Sequence, residues 1–373
     1  MTTESTAKPT SLALTTDHRP AITGVGTANP AQAYTQDEVL DLYRIADPRV
    51  RSVFQNGAIE QRHLTLPELG DDGVPMDEDQ GQLLAKHLKG SIDIGSKAIR
   101  EAVEASGHSL EDVDYLCCIT TTGFLAPGLS AHLIRALGLK PTTSRLDVVG
   151  MGCNAGLNGL APVAGWAQAN PGRLAVMACI EMCSAAYVFD GSMRTAVVNS
   201  LFGDGAAAIT LESGPLVGVD GAVPVPVPRI LDFSSRIIVD AIDAMRYDWD
   251  GDAGKFSFFL DPQIPYVVGA NAEQTVDALL EPNGLTRDDV AHWVIHPGGK
   301  KVIDAVMVNL GLTPHDVRHT LTVLRDFGNL SSGSFLFSFS RLVAEGAVQS
   351  GDLGVLMTMG PGSTIETALL AWT

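Results

Sequence analysis

The chain has 373 residues, 45% of them hydrophobic, with 25 basic against 43 acidic side chains and a formal charge of −18. That length and apolar content supply a core large enough for two core-sharing halves, and the acidic balance excludes a general nucleic-acid binder. Aromatics are few (6%) beside 38 glycines, which suits helices packed closely on sheets better than a β-sandwich.

The first ten residues, Met1 to Thr10, carry no apolar stretch. Residues 1–20 therefore read as a disordered tail and not as a signal peptide. No apolar run approaches the roughly 20 residues needed to cross a membrane. The five cysteines (Cys117, Cys118, Cys153, Cys179 and Cys183) are odd in number and show neither a CxxC pair nor a Cys/His spacing that fits zinc. A reducing, cytoplasmic setting without a metal site is the expectation. Gly24-Val25-Gly26-Thr27-Ala28-Asn29 faintly resembles a dinucleotide fingerprint, but the third glycine and the following helix are missing.

The chain then repeats a pattern once. Residues 91–123 give an amphipathic stretch (Ile94, Ala98, Ile99, Ala102, Val103), a stop at Gly107 and an apolar run at Tyr115-Leu116-Cys117-Cys118. Residues 272–299 give Val276, Leu279 and Leu280, a stop at Gly284, and Trp293-Val294-Ile295. Both read as helix, glycine stop, short turn and buried strand. Helices are next predicted to open near Cys153 and near Asn329. Each is followed by a tight turn into a buried strand, at Pro171–Ala178 and at Ser350–Met357. Long helices alternating with fully apolar strands predict an α/β protein with a mostly parallel or mixed sheet covered on both faces. The halves are placed at 21–222 and 229–373, joined by the Pro-rich stretch 221–228, and the repeat sets Cys153 and Asn329 at equivalent helix starts.

Three segments carry chemistry: Met151-Gly152-Cys153-Asn154-Ala155-Gly156, Ile295-His296-Pro297-Gly298-Gly299 and Phe327-Gly328-Asn329-Leu330-Ser331-Ser332. They supply a thiol, an imidazole and a carboxamide, the parts of a Cys-His-Asn acyl-transfer site. A helix N-terminus favours a thiolate at Cys153, and a residue at a strand end before a glycine turn, as at His296, projects into a cleft. Each also has a plain alternative: Cys153 a buried core thiol, His296 a surface histidine, Asn329 a helix N-cap. Leu201-Phe202-Gly203-Asp204-Gly205 reads as a tight turn, either a hairpin or a strand connector, with Phe202 placed to wall a chamber. Gly360-Pro361-Gly362 is predicted to follow the last strand and to shape one wall of a pocket. Gly298-Gly299-Lys300-Lys301 lacks P-loop spacing, and no Gly-x-Ser-x-Gly elbow stands out.

Taken together from Ile22 onward, these segments, with Gly24–Pro30, Leu201–Ala208 and Gly360–Thr367, resemble the type III polyketide synthases of the chalcone synthase superfamily. The resemblance implies a thiolase-like, five-layered αβαβα fold of two pseudo-symmetric halves. It implies that Cys153 takes an acyl group from CoA, and that His296 holds Cys153 as thiolate and polarises thioester carbonyls. Asn329, with His296, would stabilise the enolate left when malonyl-CoA loses carbon dioxide. It also implies gatekeeping aromatics at Phe202 and, with a register open by one residue, at Phe258 in Phe256-Ser257-Phe258-Phe259-Leu260. The cavity it implies is walled by Cys183, Ala186, Ser331, Gly360, Pro361 and Gly362. The basic cluster for CoA phosphates falls near Arg49–Asn56. There only Arg49 matches, and Ser52 and Asn56 stand where basic residues are common, which leaves Arg51 or Lys301 to compensate by charge-assisted contacts, with Gly299 also placed at CoA.

Ala185–Ser200 and the Met-Gly-Cys-Asn-Ala-Gly-Leu-Asn run are similar to one bacterial subgroup, the 3,5-dihydroxyphenylacetyl-CoA synthases of glycopeptide-antibiotic pathways. That likeness implies malonyl-CoA as both starter and extender, a C8 tetraketide closed to an aromatic ring, and release as CoA thioester or acid. It implies no cofactor, since CoA thioesters are substrates, and it implies a homodimer serving downstream enzymes that act on the CoA product. Alternatives are a 1,3,6,8-tetrahydroxynaphthalene synthase, a carrier-dependent ketoacyl synthase III, or a non-catalytic scaffold.

Overall fold

The computed structural model describes residues 18–186, 189–214 and 226–373. Most of the tail read as disordered, and the join as far as Val225, lie outside the described residues.

Strands that are apolar on both faces must be covered on both faces, and this requirement builds the molecule. The first part of the chain runs β1 (Ala21–Ala28), β2 (Ala33–Thr35), α1 (Gln36–Leu42), α2 (Pro48–Gln55), β3 (Gln61–His63), α3 (Gln80–Ala105), β4 (Val113–Thr120), α4 (Leu129–Leu137), β5 (Ser144–Val149), α5 (Ala155–Ala169), β6 (Leu174–Glu181), α6 (Met193–Leu201) and β7 (Gly205–Glu212). The second runs β8 (Pro228–Ile237), β9 (Met245–Asp250), β10 (Lys255–Leu260), α7 (Ile264–Leu280), β11 (His292–Ile295), α8 (Lys300–Leu310), α9 (Arg318–Phe327), α10 (Ser334–Glu345), β12 (Leu353–Gly360) and β13 (Thr364–Trp372). Among the described residues nine strands form one mixed sheet in the order β11-β12-β13-β8-β1-β7-β6-β4-β5. At its centre β1 and β8 meet through a single pair, Ala21 with Arg229. On either side the ladder has the same sense: β4 is parallel to β6 and β11 to β12, while β6–β7 and β12–β13 are antiparallel.

The strand period of two sorts side chains into three cores. On β6, Val176, Ala178 and Ile180 join α3 and α4 in one outer core, whereas Ala175, Met177 and Cys179 face α5 and α10 in the central core. On β12 and β13, Val355, Met357, Ile365 and Leu369 face α7 and α8 in the other outer core, and Leu356, Ala368 and Leu370 turn to the centre. Helices α5 and α10 touch strands of both sides. The result is the expected α-β-α-β-α stack.

One feature differs from the sequence reading. Gly360-Pro361-Gly362 does not follow the last strand; it is the turn of the β12–β13 hairpin, because β13 returns beside β12 from Thr364 onward. Of the two readings of the Gly203–Gly205 turn the connector holds, since it leads from α6 into β7. The Gly24/Gly26 pair has a packing cause, since a Cβ at either would come within 2.4 Å of the Ala102 or Ala98 carbonyl oxygen of α3.

Candidate active site

Cys153 lies in a single 3-10 turn, Gly152–Asn154, that leads into α5. The preceding glycine is obligatory: Gly152 has φ +80°, and a Cβ there would sit 2.1 Å from Cδ of Pro361. Asn329 occupies the matching place before α10, in a turn whose next residues include Ser331 at φ +50°. The two turns pack together. Cys153 Sγ lies 4.0 Å from Asn329 Oδ1 and 3.8 Å from Ser331 Oγ, although 176 residues separate the thiol from the amide.

The amide is oriented. Asn329 Oδ1 accepts from the Ser331 N–H (2.8 Å) and from the Ser334 hydroxyl (3.2 Å). These contacts fix the side-chain plane, whose remaining donors are the two N–H of its NH2 group. The N-cap alternative is not realised: the residues capping the 3-10 turn and α10 are Leu330 and Gly333, and Asn329 Oδ1 instead closes a turn onto Ser331 two residues on.

His296 follows β11 directly. It is 1% exposed, and its N–H donates to Met357 O on β12 (2.8 Å). β12 packs on the Cys153 turn and ends at Gly360, where a Cβ would lie 3.0 Å from the Cys153 nitrogen. The imidazole Nδ1 is buried without a hydrogen-bond partner among the described residues.

Electrostatics penalise either charge alone. Burial pushes the Cys153 thiol up to about 12, opposed by its contacts with Ser331 and Asn329. Burial pushes the His296 imidazole down to about 3. The helix start that favours a thiolate is therefore outweighed by desolvation.

Phe258 is the inward member of its run. It is 7% exposed and meets Phe202 edge to face, with centroids 6.0 Å apart, while Phe256 is half exposed. Phe202 and Cys183 border a cavity of about 350 Å3, whose walls also include Arg62, Ser184, Val198 and Asn199 but not Cys153, His296 or Asn329. Ala186 is half-buried just after the 3-10 turn that carries Cys183.

The residues expected at CoA phosphates are less assembled. Arg49 is exposed and paired with Asp47 (3.0 Å), and Arg51 is engaged by Asp41 (3.1 Å) and Asp37 (3.6 Å). Gly299 precedes the first turn of α8 at φ +121°, and Lys301 is exposed on that turn.

Two buried groups escaped the sequence reading. Glu181, at the end of β6, accepts from Ser332 Oγ (2.5 Å), the Thr121 N–H (2.9 Å) and Thr122 Oγ1 (3.0 Å). Thr121 Oγ1 in turn accepts from the Gly152 N–H (2.9 Å), so one carboxyl ties the Cys153 turn to the Asn329 turn. Burial raises its pKa above the ordinary carboxylate range. An acid closing an otherwise apolar strand was the signal available. Asp204 holds the Cys183 turn by accepting from the Ser184 N–H (2.8 Å) and hydroxyl (2.6 Å).

Two family models cover most of the chain: the N-terminal domain of chalcone and stilbene synthases matches residues 10–215, and the C-terminal domain matches residues 251–372. The chain belongs to the chalcone and stilbene synthase family. This makes it a condensing enzyme of the acyltransferase kind, with the thiolase-like fold seen above. Within the family it is 61% identical over 362 residues to a 3,5-dihydroxyphenylacetyl-CoA synthase from Streptomyces toyocaensis, covering 96% of this chain and 92% of that one. Identity falls to 32% over 365 residues against a 1,3,6,8-tetrahydroxynaphthalene synthase from Streptomyces peucetius subsp. caesius, covering 95% of this chain and 94% of that one. Among solved structures, PKS-I from the brown alga Ectocarpus siliculosus superposes with a TM-score of 0.85 at 27% identity, covering 95% of this chain and 98% of that one.

Proposed function

We propose that this type III polyketide synthase condenses four malonyl-CoA units into a C8 tetraketide and closes it to 3,5-dihydroxyphenylacetyl-CoA or its acid. The observation that carries the reading is the meeting of Cys153 with Asn329 and Ser331 at the paired helix starts. The steep difference in identity between the two kinds of relative favours this product over a naphthalene.

The residues divide the work as follows. His296 takes the Cys153 proton as sulfur attacks the thioester carbonyl, and CoA leaves carrying that proton. A second malonyl-CoA then loses carbon dioxide, and the electron pair of the broken C–C bond becomes an enolate. The Asn329 NH2 group and His296 donate to the enolate oxygen. The enolate carbon attacks the Cys153 thioester, and the sulfur leaves as thiolate, ready to receive the lengthened chain. Three such extensions, loss of the starter unit's own carboxyl as a fourth carbon dioxide, an intramolecular C–C closure and loss of water give the C8 aromatic product. Phe202 and Phe258 form the aromatic edge past which the acyl chain passes. Lys301 and the α8 N-terminus receive CoA phosphate, with Arg49 and Arg51 contributing only after exchanging their carboxylate partners. The enzyme works as a dimer of chains, each divided into halves near residues 222–229.

Incubating the purified protein with malonyl-CoA alone tests this. A C8 aromatic product and an acyl adduct on Cys153 by intact mass are expected. A C10 tetrahydroxynaphthalene, or an absolute need for an acyl-carrier protein, overturns the assignment.

A further inference from the structure

A helix that ends inside a protein leaves carbonyl oxygens that need donors. Helix α6 ends beside the reaction site, and its last carbonyls are met from three different parts of the chain. Gln36 Nε2 donates to Ser200 O (2.7 Å). The Asn329 N–H donates to Leu201 O (2.8 Å). Arg62 Nη1 donates to Phe202 O (2.7 Å). The Gly203 N–H closes the set by donating to Asn329 O (3.0 Å), so Phe202 and Asn329 are stitched main chain to main chain.

Arg62 stands at the centre of this arrangement. It is 2% exposed, and its Nε and Nη2 both donate to Gln36 Oε1 (3.2 and 2.8 Å). Its stem fills the space beside Gly203 and Gly328: a Cβ on Gly328 would meet Arg62 Cγ and Cδ at 3.0 Å, and one on Gly203 would meet Arg62 Cβ at 3.5 Å. The guanidinium lies 5.8 Å from the Phe54 ring centroid. A cation at a helix C-terminus also answers the negative end of the helix dipole. The planar fork reaches the Gln36 amide and the Phe202 carbonyl at once, which a lysine ammonium at the end of a flexible stem does not reproduce.

We propose that Arg62 is a positioning residue that, with Gln36, fixes the end of α6 and thereby sets the gatekeeping Phe202 ring against the Asn329 amide. It acts on chain extension, where Asn329 receives the enolate oxygen, more than on the loading of Cys153, whose own turn is tied back through Thr121 even though Glu181 links it to the Asn329 turn. The proposal rests on the condensing activity above but not on the identity of the product.

The test compares Arg62→Lys, Arg62→Met and Gln36→Met with the unaltered enzyme. The rate of Cys153 alkylation by iodoacetamide reports the loading site. Release of carbon dioxide from malonyl-CoA, and product length, report enolate formation and extension. The expected result is alkylation within about threefold of the parent in every folded variant. Decarboxylation turnover falls about 10- to 100-fold in the Arg62 variants, less in Gln36→Met, and products shorten. Alkylation and decarboxylation falling in parallel would mean a general structural role and would overturn the proposal, as would unchanged extension. If neither Arg62 variant folds, Gln36→Met carries the decision by the same ratio. A parent enzyme that releases carbon dioxide but makes another product would defeat the product assignment while leaving Arg62 testable.

Discussion

Replacing His296 with glutamine removes the imidazole proposed to take the Cys153 proton while keeping a polar side chain in its place. Burial holds the lone Cys153 thiol at about 12 against an ordinary value of 9.0, which corresponds to about 4 kcal/mol against the bare thiolate. At pH 7.5 only about three thiols in 10^5 would then be ionised, against about three in a hundred for a free cysteine. On the proposed mechanism the imidazole takes the proton, so the charges arise as a pair. His296→Gln should therefore lower iodoacetamide alkylation of Cys153 at pH 7.5 by at least about 100-fold. The residual rate should rise about tenfold per pH unit from pH 7 to 10, because only thiolate reacts. The assay is intact-protein mass against time across that range, with Cys153→Ala as the blank. A His296→Gln enzyme alkylating at the parent rate with the parent pH profile would refute the pairing and place the proton elsewhere.

Two further outcomes follow from the same geometry. His87 is fully buried on α3, and burial lowers its imidazole from 6.5 to about 4. The unfolded chain therefore binds this proton near pH 6.5, whereas the folded one resists it until about pH 4. Stability from the neutral form is complete above pH 6.5 and drains away as pH falls, by about 2 kcal/mol at pH 5. Urea midpoints at pH 8 and pH 5 should separate the parent from His87→Gln, which loses less on acidification; parallel losses would contradict the assignment. Gly152→Ala places a Cβ at φ +80° and 2.1 Å from Pro361 Cδ. It should cost about 1–3 kcal/mol of stability and reduce Cys153 acylation, measured by denaturant unfolding and adduct mass, because the turn carrying the sulfur must move.

The amino-acid sequence by itself determined the reagents and their local settings. Small residues around Cys153, the strand end at His296 and the turn at Asn329 are properties of a few adjacent residues, as is the repeated helix, stop and strand that places Cys153 and Asn329 at corresponding points. Tertiary structure alone decided matters that depend on distant partners. The alternation of β10 left open which phenylalanine faced inward until Phe202 arrived from another part of the chain. A helix start predicted an acidic thiol, yet the depth of burial, fixed by both sheets, pushes it the other way. Glu181 and Arg62 had no local signature of their roles, because the groups they hold lie 151 and 140 residues away. Periodicity and turn chemistry are short-range and leave marks in adjacent letters; desolvation and the satisfaction of buried polar groups are set by whatever the completed fold brings alongside.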